Sequence, residues 1–487
     1  IAHQFGATGE TDAYLVAYTI PYILMNILAL ALATVVVPVF SEYQSKGRRQ
    51  EAWNLFNKIT TITIIIFFVL AACGMAFASV LVKLIAPGLS GETALLAEEL
   101  TLIMMPALVF MGVSTLFNGL LNANNIFAVP ALTVVVANAI VIISTLTLGK
   151  IVGIYGVAIG TLLSLIVAAI MQVPYLYKVG FRYKFDINFR DSGVQKVMSM
   201  MIPVVVGVSV NQLYIIIDRI LASGLAEGSI SALNFANKLV LLPLGLFVMA
   251  IGTAFYPTLT RQVANSSLKS AKDTLQKSFK MVLLFTVPAS VGLFVLSYPI
   301  IQLLFERGAF DARATDMTAT ALMFFSIGLA AQSVNVILTR GFYALHDTRT
   351  PVKLTFIAVF INLILSLSLI GPLQHGGLAL ATSIAAIINT LMLSKFLSKR
   401  MQGLWDKSVL YFCLKIGIAS MLMGIVVFYV NDFINLSAYG DVGLLVKTTL
   451  CIFVGALVYI LMGFFLRVQE IFWLYELTKN HVKKYFL

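Results

Sequence analysis

The chain has 487 residues, of which 60% are apolar and 11% charged, and its mean hydropathy is +0.96. Soluble domains carry about a quarter of their residues charged, so a water-soluble globular protein is excluded, and a disordered chain with it. The net charge of +12 is no nucleic-acid signature, because the basic residues stand between apolar runs, where they report topology.

The chain opens at Ile1 with a short apolar lead and no signal peptide, and a preceding first span is expected to be missing. Apolar stretches bounded by charges or turn residues predict helices at 15–40, 56–82, 100–121, 128–148, 153–177, 197–222, 232–257, 279–304, 316–345, 352–371, 377–397, 408–430 and 443–466. These are thirteen spans of a length that crosses a bilayer, in an all-α polytopic membrane protein. The stretch at 197–222 holds Pro203, Asn211, Asp218 and Arg219, so a break is expected there.

Lys and Arg fall on alternate connections. Segments 41–58, 178–196, 261–280, 346–353, 395–407 and 466–487 hold 24 of the 33, and the intervening connections hold only Lys83, Lys150, Arg307 and Arg313. The positive-inside rule places the basic set in the cytoplasm, together with the C-terminus. With both ends inside, the intact chain would have fourteen spans.

An internal repeat is visible. Leu121-Asn-Ala123 to Pro130 matches Phe342-Tyr-Ala344 to Pro351, and Gly156-Val-Ala-Ile-Gly-Thr161 matches Gly377-Leu-Ala-Leu-Ala-Thr382, both at a spacing of 221 residues. Ala13, Ala17 and Pro38 align with Ala232, Ala236 and Pro257 at 219. Equivalent points lie six spans apart, so the copies run the same way through the membrane, an arrangement of alternating-access transporters. The expected organisation is an N-terminal lobe at 1–178, a C-terminal lobe at 179–400, two additional helices at 401–466 and a cytoplasmic amphipathic tail at 467–487. That tail carries Ile471, Phe472, Trp473, Leu474 and Leu477 beside Lys479, Lys483 and Lys484.

Ionisable residues inside spans are costly, and each is a candidate for function. Asn234, Asn237 and Lys238 sit at i, i+3 and i+4 and form one polar face, which reads as a cavity contact or as a lysine snorkelling to the surface. Asn211 and Asp218 are seven apart and share a face, while Arg219 points about 100° away. Asp218 has three open readings: a salt bridge to Lys238, a salt bridge to Arg219, or a site for a coupling cation. Gln332, Asn335 and Thr339 form a further stripe that reads as helix-helix glue.

No Ser/His/Asp grouping, His-rich cluster or Walker-type loop lies in a span, and Cys73, Cys413 and Cys451 each fall inside apolar runs. Neither an enzyme, a metal site nor a cofactor is expected. A basic cavity without catalysis suits an anionic cargo.

Four stretches resemble one family. Phe5-Gly-Ala-Thr-Gly-Glu-Thr-Asp-Ala-Tyr14, Leu303-Leu-Phe-Glu-Arg-Gly-Ala-Phe-Asp311, Gly341-Phe-Tyr-Ala-Leu-His-Asp-Thr-Arg-Thr-Pro-Val-Lys353 and Leu369-Ile-Gly-Pro-Leu-Gln-His-Gly-Gly-Leu378 resemble the MviN/MurJ family of bacterial lipid II flippases, from residue 1 to about 400. The resemblance implies a multidrug/oligosaccharidyl-lipid/polysaccharide exporter fold of two six-helix lobes plus two C-terminal helices. It further implies alternating-access movement of lipid II across the bacterial cytoplasmic membrane. The family's aspartate after the first span matches Asp12, and its cavity arginine in the second lobe falls at Lys238, a change that loses the bidentate fork. Its second-span arginine is not reproduced: Met25-Asn-Ile-Leu-Ala-Leu-Ala-Leu-Ala33 stands there, with Asn26 the only polar residue.

Three functions compete on this reading. The first is flipping of lipid II, or of another polyprenyl-linked oligosaccharide, by a monomer working beside cell-wall synthesis enzymes. The second is export of small molecules coupled to Na⁺ or H⁺, and the third a non-transporting scaffold for those enzymes. A basic cavity also allows the membrane potential to act on transport, at about 2.3 kcal/mol per charge per 100 mV.

Overall fold

The structure is a computed structural model and describes residues 1–434, 440–473 and 475–476, without the side chains of residues 30, 33, 34 and 211. Asn211 therefore lies outside the described side chains, and Leu474 with most of the expected tail lies outside the described residues. Among the described residues all regular structure is helical, as a membrane interior demands, since helices satisfy their own backbone groups.

The main helices are α1 (Gly9–Ser45), α2 (Arg49–Ala76), α3 (Gly91–Met104), α4 (Ala107–Ala123), α5 (Ala128–Leu146), α6 (Ile154–Lys178), α7 (Ser192–Ser223), α8 (Ser229–Ala264), α9 (Leu268–Val295), α10 (Ala312–Ala344), α11 (Arg349–Arg400), α12 (Lys407–Phe433) and α13 (Gly440–Phe465). Aspartates start three of them. Asp191 accepts from the N–H groups of Gly193 and Val194 at 2.9 and 3.2 Å, Asp311 from Ala314 at 2.8 Å, and Asp406 from Val409 at 3.0 Å.

Eleven described helices are long and apolar enough to cross a membrane, or twelve if α3 and α4, bent by 45° at their junction, form one span. The count of thirteen is not reached because α11 covers two predicted spans at once. Its 52 residues are length enough for two crossings, and Gln374 breaks it with φ 48° and ψ −128°. The single break expected within 197–222 does not occur: α7 is continuous across Pro203.

The chain divides into two compact units, Ile1–Ser231 and Ala232–Leu487. By sequence repeat α7 belongs with the second copy, but by contact it packs along α1, so the boundary by contact falls after Ser231. In the first unit α1 also packs on α3 and α4, and α5 on α6. An aromatic cluster of Phe40, Trp53, Phe56, Phe117 and Phe181 closes one end of this unit. In the second unit α10 packs between α9 and α11, and α12 lies on α9 and α13. Its core runs through Leu275, Leu338, Phe342, Leu397 and Ile416, each at most 1% exposed.

The repeat is written into the backbone of the two units. Residues with positive φ recur in pairs: Gly47 and Ser266 are 219 apart, and Asn125 with His346 and Gly153 with Gln374 are each 221 apart. The glycines recur as well. A Cβ on Gly156 would collide with the backbone of Leu148, and a Cβ on Gly377 with the backbone of Leu369, again 221 residues away. Small residues thus hold the same close approach in both copies.

Candidate functional site

Asp12 lies in the first turn of α1, is 3% exposed, and is surrounded by donors. Its Oδ2 accepts from the Gly228 N–H at 2.8 Å, and its Oδ1 from the Ser231 N–H at 2.7 Å and from the Ser231 hydroxyl. Those N–H groups belong to the start of α8, where four amides lack partners within the helix and the dipole favours an anion. The close approach requires Gly228, whose φ is +88° and whose Cβ would meet the Ala7 carbonyl. Nearby, Gly9 N–H donates to Glu227 Oε1 at 2.6 Å and Gly88 N–H to Ser223 Oγ at 3.0 Å. The starts of α1 and α8 and the end of α7 are therefore stitched together around a buried carboxylate.

Arg219 reaches toward the same place. Its Nη1 lies 3.5 Å from the Ile230 carbonyl, and its charge acts on both Asp12 and Asp218. Asp218 Oδ1 is buried and accepts no hydrogen bond among the described residues. Three of the sequence-selected residues, Asp12, Asp218 and Arg219, thus share one electrostatic neighbourhood.

Asn26 is used differently. Its Nδ2 donates to the Tyr22 carbonyl at 3.1 Å, inside its own helix. It continues a face on which Tyr14, Tyr18 and Tyr22 stack with centroids 6.4 and 5.5 Å apart, and the Tyr14 hydroxyl is 2.9 Å from that of Thr161. The spacing of four between Tyr14, Tyr18, Tyr22 and Asn26 was available in the sequence as a signal for this ladder.

In the second unit, α8 buries Ala232, Phe235, Ala236, Leu239 and Val240, with Phe235 packed against Phe305 and Phe310. Asn237 and Lys238 are exposed on another side, and Asn234 is half-buried with its Oδ1 unpaired among the described residues. Of the three residues at i, i+3 and i+4, Asn237 and Lys238 are thus exposed and Asn234 is half-buried. Just beyond them, after Pro243, residues Leu244–Val248 widen into a π-helical turn, a feature that frequently accompanies functional sites and has no signature in the residue pattern.

Other polar groups missed by sequence reasoning lie within α11, on the two sides of its break at Gln374. Asn362 Nδ2 donates to Thr382 Oγ1 at 3.2 Å, while Asn362 Oδ1 and Ser366 Oγ, on residues fully buried, lack partners among the described residues. Asn362 and Ser366 are four apart in an apolar run, which was the available signal. Between α10 and α11, Asn335, one of the stripe named from the sequence, accepts through Oδ1 from the Thr390 hydroxyl at 2.9 Å. Among the described residues no group of three His, Cys, Asp or Glu side chains could hold a metal.

The arrangement has the parts of a transporter: two repeated helical units, a stitched set of helix ends with buried charge, and an exposed lysine on α8. A family model described as lipid II flippase MurJ matches residues 1–450. The chain is 32% identical over 443 residues to a probable lipid II flippase MurJ of Buchnera aphidicola subsp. Baizongia pistaciae, covering 90% of this chain and 86% of that protein. It is 31% identical over 437 residues to the lipid II flippase MurJ of Burkholderia cenocepacia, covering 87% and 84%. A solved structure of lipid II flippase MurJ in an inward closed conformation superposes with a TM-score of 0.82 at 29% identity, over 96% of this chain and 94% of that one. An inward-facing multidrug transporter of the MATE family, at 16% identity and a TM-score of 0.70, shares the fold. The chain belongs to the MurJ family of lipid II flippases.

Proposed function

We propose that this chain moves lipid II between the leaflets of the bacterial cytoplasmic membrane by alternating access. The observation that carries the reading is the match to a MurJ structure over 96% of the chain, with a backbone repeat that supplies the two lobes such a cycle requires. The role is transport without covalent chemistry, by a monomer that receives its cargo from cell-wall synthesis enzymes. The basic loops and the C-terminal end face the cytoplasm.

Lys238, with Asn234 and Asn237 beside it, supplies the cationic contact to the diphosphate of the cargo. Arg219 and Asp218 provide charge that the membrane potential, Na⁺ or H⁺ can act on. Asp12 holds helix ends together and does not touch cargo. Asn26, which satisfies its own helix backbone, adds no charge where the family places an arginine, and this favours a second reading in which the headgroup is that of another polyprenyl-linked oligosaccharide.

The test is translocation by the full chain in sealed vesicles, with fluorescent lipid II compared against a polyprenyl diphosphate carrying a different glycan. Faster movement of lipid II supports the first reading. Movement of the other glycolipid alone selects the second, and movement of neither contradicts both.

A further inference from the structure

Between α6 and α7 the sequence Phe181-Arg-Tyr-Lys-Phe-Asp-Ile-Asn-Phe-Arg190 alternates apolar and polar residues at every position, the period of an extended strand. Residues 181–188 form neither helix nor turn, and no strand lies beside them among the described residues. A side chain replaces the missing partner: Asn57 of α2 donates through Nδ2 to the Arg182 carbonyl at 3.1 Å and accepts through Oδ1 from the Lys184 N–H at 2.9 Å. The odd-numbered face begins against α2. Phe181 is 4% exposed, with its ring 6.0 Å from Trp53 and 5.2 Å from Phe56, and the Tyr183 hydroxyl is 3.1 Å from that of Thr61. Beyond that point the face is bare: Phe185 is 71% exposed, Ile187 44% and Phe189 54%.

The anchoring residues fix its depth. Lys58 is the last charge of α2 before 24 residues, 59–82, without Asp, Glu, Lys or Arg. It pairs with Asp191 at 2.7 Å and lies 4.0 Å from Asp186, which brings the far end of the segment back to this level. Thr61 stands one turn further in, ~4.5 Å along the helix axis. The segment therefore lies where the apolar stretch of α2 begins, with aromatic side chains at the level favoured by Trp and Tyr. Among its even-numbered positions Arg182, Lys184 and Arg190 are exposed, while its acid, Asp186, lies 4.0 Å from Lys58 of α2.

We propose that residues 181–190 form a lipid-binding strap. Phe185, Ile187 and Phe189 insert among the headgroups and upper acyl chains of the leaflet bordered by the basic loops, and Arg182, Lys184 and Arg190 bind the phosphates of anionic phospholipids there. Aromatic insertion and basic contacts are two anchoring signals acting together, and neither requires that the cargo be lipid II.

The full chain is titrated with phosphatidylglycerol or phosphatidylcholine and bound lipids are counted by native mass spectrometry. In the triple variant Arg182→Gln, Lys184→Gln, Arg190→Gln, phosphatidylglycerol binding is expected to weaken about 100-fold, at about fivefold per removed charge, with phosphatidylcholine binding unchanged. Inorganic pyrophosphate is not expected to displace the lipid. Independently, Phe185→Trp in phosphatidylglycerol nanodiscs is expected to add fluorescence that is quenched by lipids brominated on the upper acyl chain. Retention of the phosphatidylglycerol preference by the triple variant, or displacement by pyrophosphate, overturns the headgroup assignment. Quenching of the new tryptophan by aqueous iodide but not by brominated lipid overturns insertion and leaves the strap as an edge for a protein partner.

Discussion

Three donors from Gly228 and Ser231 surround the Asp12 carboxylate, so removing it strands two buried backbone N–H groups at the start of α8. Asp12→Ala is expected to destabilise the protein by about 3 kcal/mol, read as a fall in melting temperature in detergent, and an unchanged melting temperature would show that the carboxylate is dispensable to the fold. Lys238 is exposed, and Lys238→Ala is expected to leave the melting temperature unchanged while impairing transport. Asp347, inside the family-like stretch from Gly341 to Lys353, explains that stretch physically. It accepts from the Thr350 N–H at 3.0 Å and hydroxyl at 2.7 Å and pairs with Arg400 at 3.2 Å, starting α11. Burial alone would raise this carboxyl, but the Thr350 bonds and Arg400 outweigh it and hold it below the usual carboxylate range. A carboxyl depressed on folding stabilises above its unfolded value, near 4, and loses that contribution as pH falls through the folded one. Asp347→Asn is expected to flatten the acid limb of the melting-temperature profile below about pH 4, and parallel profiles for both proteins would contradict this.

Gly156 and Gly377 each sit where a side chain would strike the backbone eight residues earlier, across the bends at Gly153 and Gln374. Gly156→Leu and Gly377→Leu are each expected to cost about 1–3 kcal/mol, and a pair of unequal effects, one near zero, would break the equivalence of the two copies. Gly153 and Gln374 share a backbone conformation that glycine adopts freely and glutamine does not. Gln374→Gly is expected to raise stability by about 1 kcal/mol, measured by thermal unfolding, and a lower melting temperature would mean that the glutamine side chain holds the bend. Helix existence was legible throughout, because an apolar run of about 20 residues in a chain this hydrophobic has few alternatives. The count was less so. The sequence separates 352–371 from 377–397 at Gly371-Pro-Leu-Gln-His-Gly-Gly377, and in the structure α11 runs across both with its break at Gln374 inside that connection.

At the scale of the molecule, the architecture was readable because repetition leaves the same small and turn-forming residues at a constant offset: the matches of Gly156 to Gly377 and of Pro130 to Pro351 are visible in the sequence alone. The site was readable in part. Charge inside an apolar run singled out Asp218, Arg219 and Lys238, since such residues stand out against their neighbours, whereas Asp12 was reached only through the family resemblance. Their division of labour was not, because whether a carboxylate meets amides or cargo depends on which helix start folds back upon it, as Gly228 and Ser231 do on Asp12. The tyrosine ladder of α1 left a spacing of four in the sequence that went unread, whereas the π turn of α8 is a matter of backbone geometry without a residue signature. The measurement that tests the account most directly is rescue of cells depleted of their own lipid II flippase by the full-length protein, with labelled lipid II scored on the outer leaflet. The account predicts rescue by the parent protein and its loss in Lys238→Ala at equal expression. Correctly inserted parent protein that leaves lipid II on the inner leaflet would contradict it.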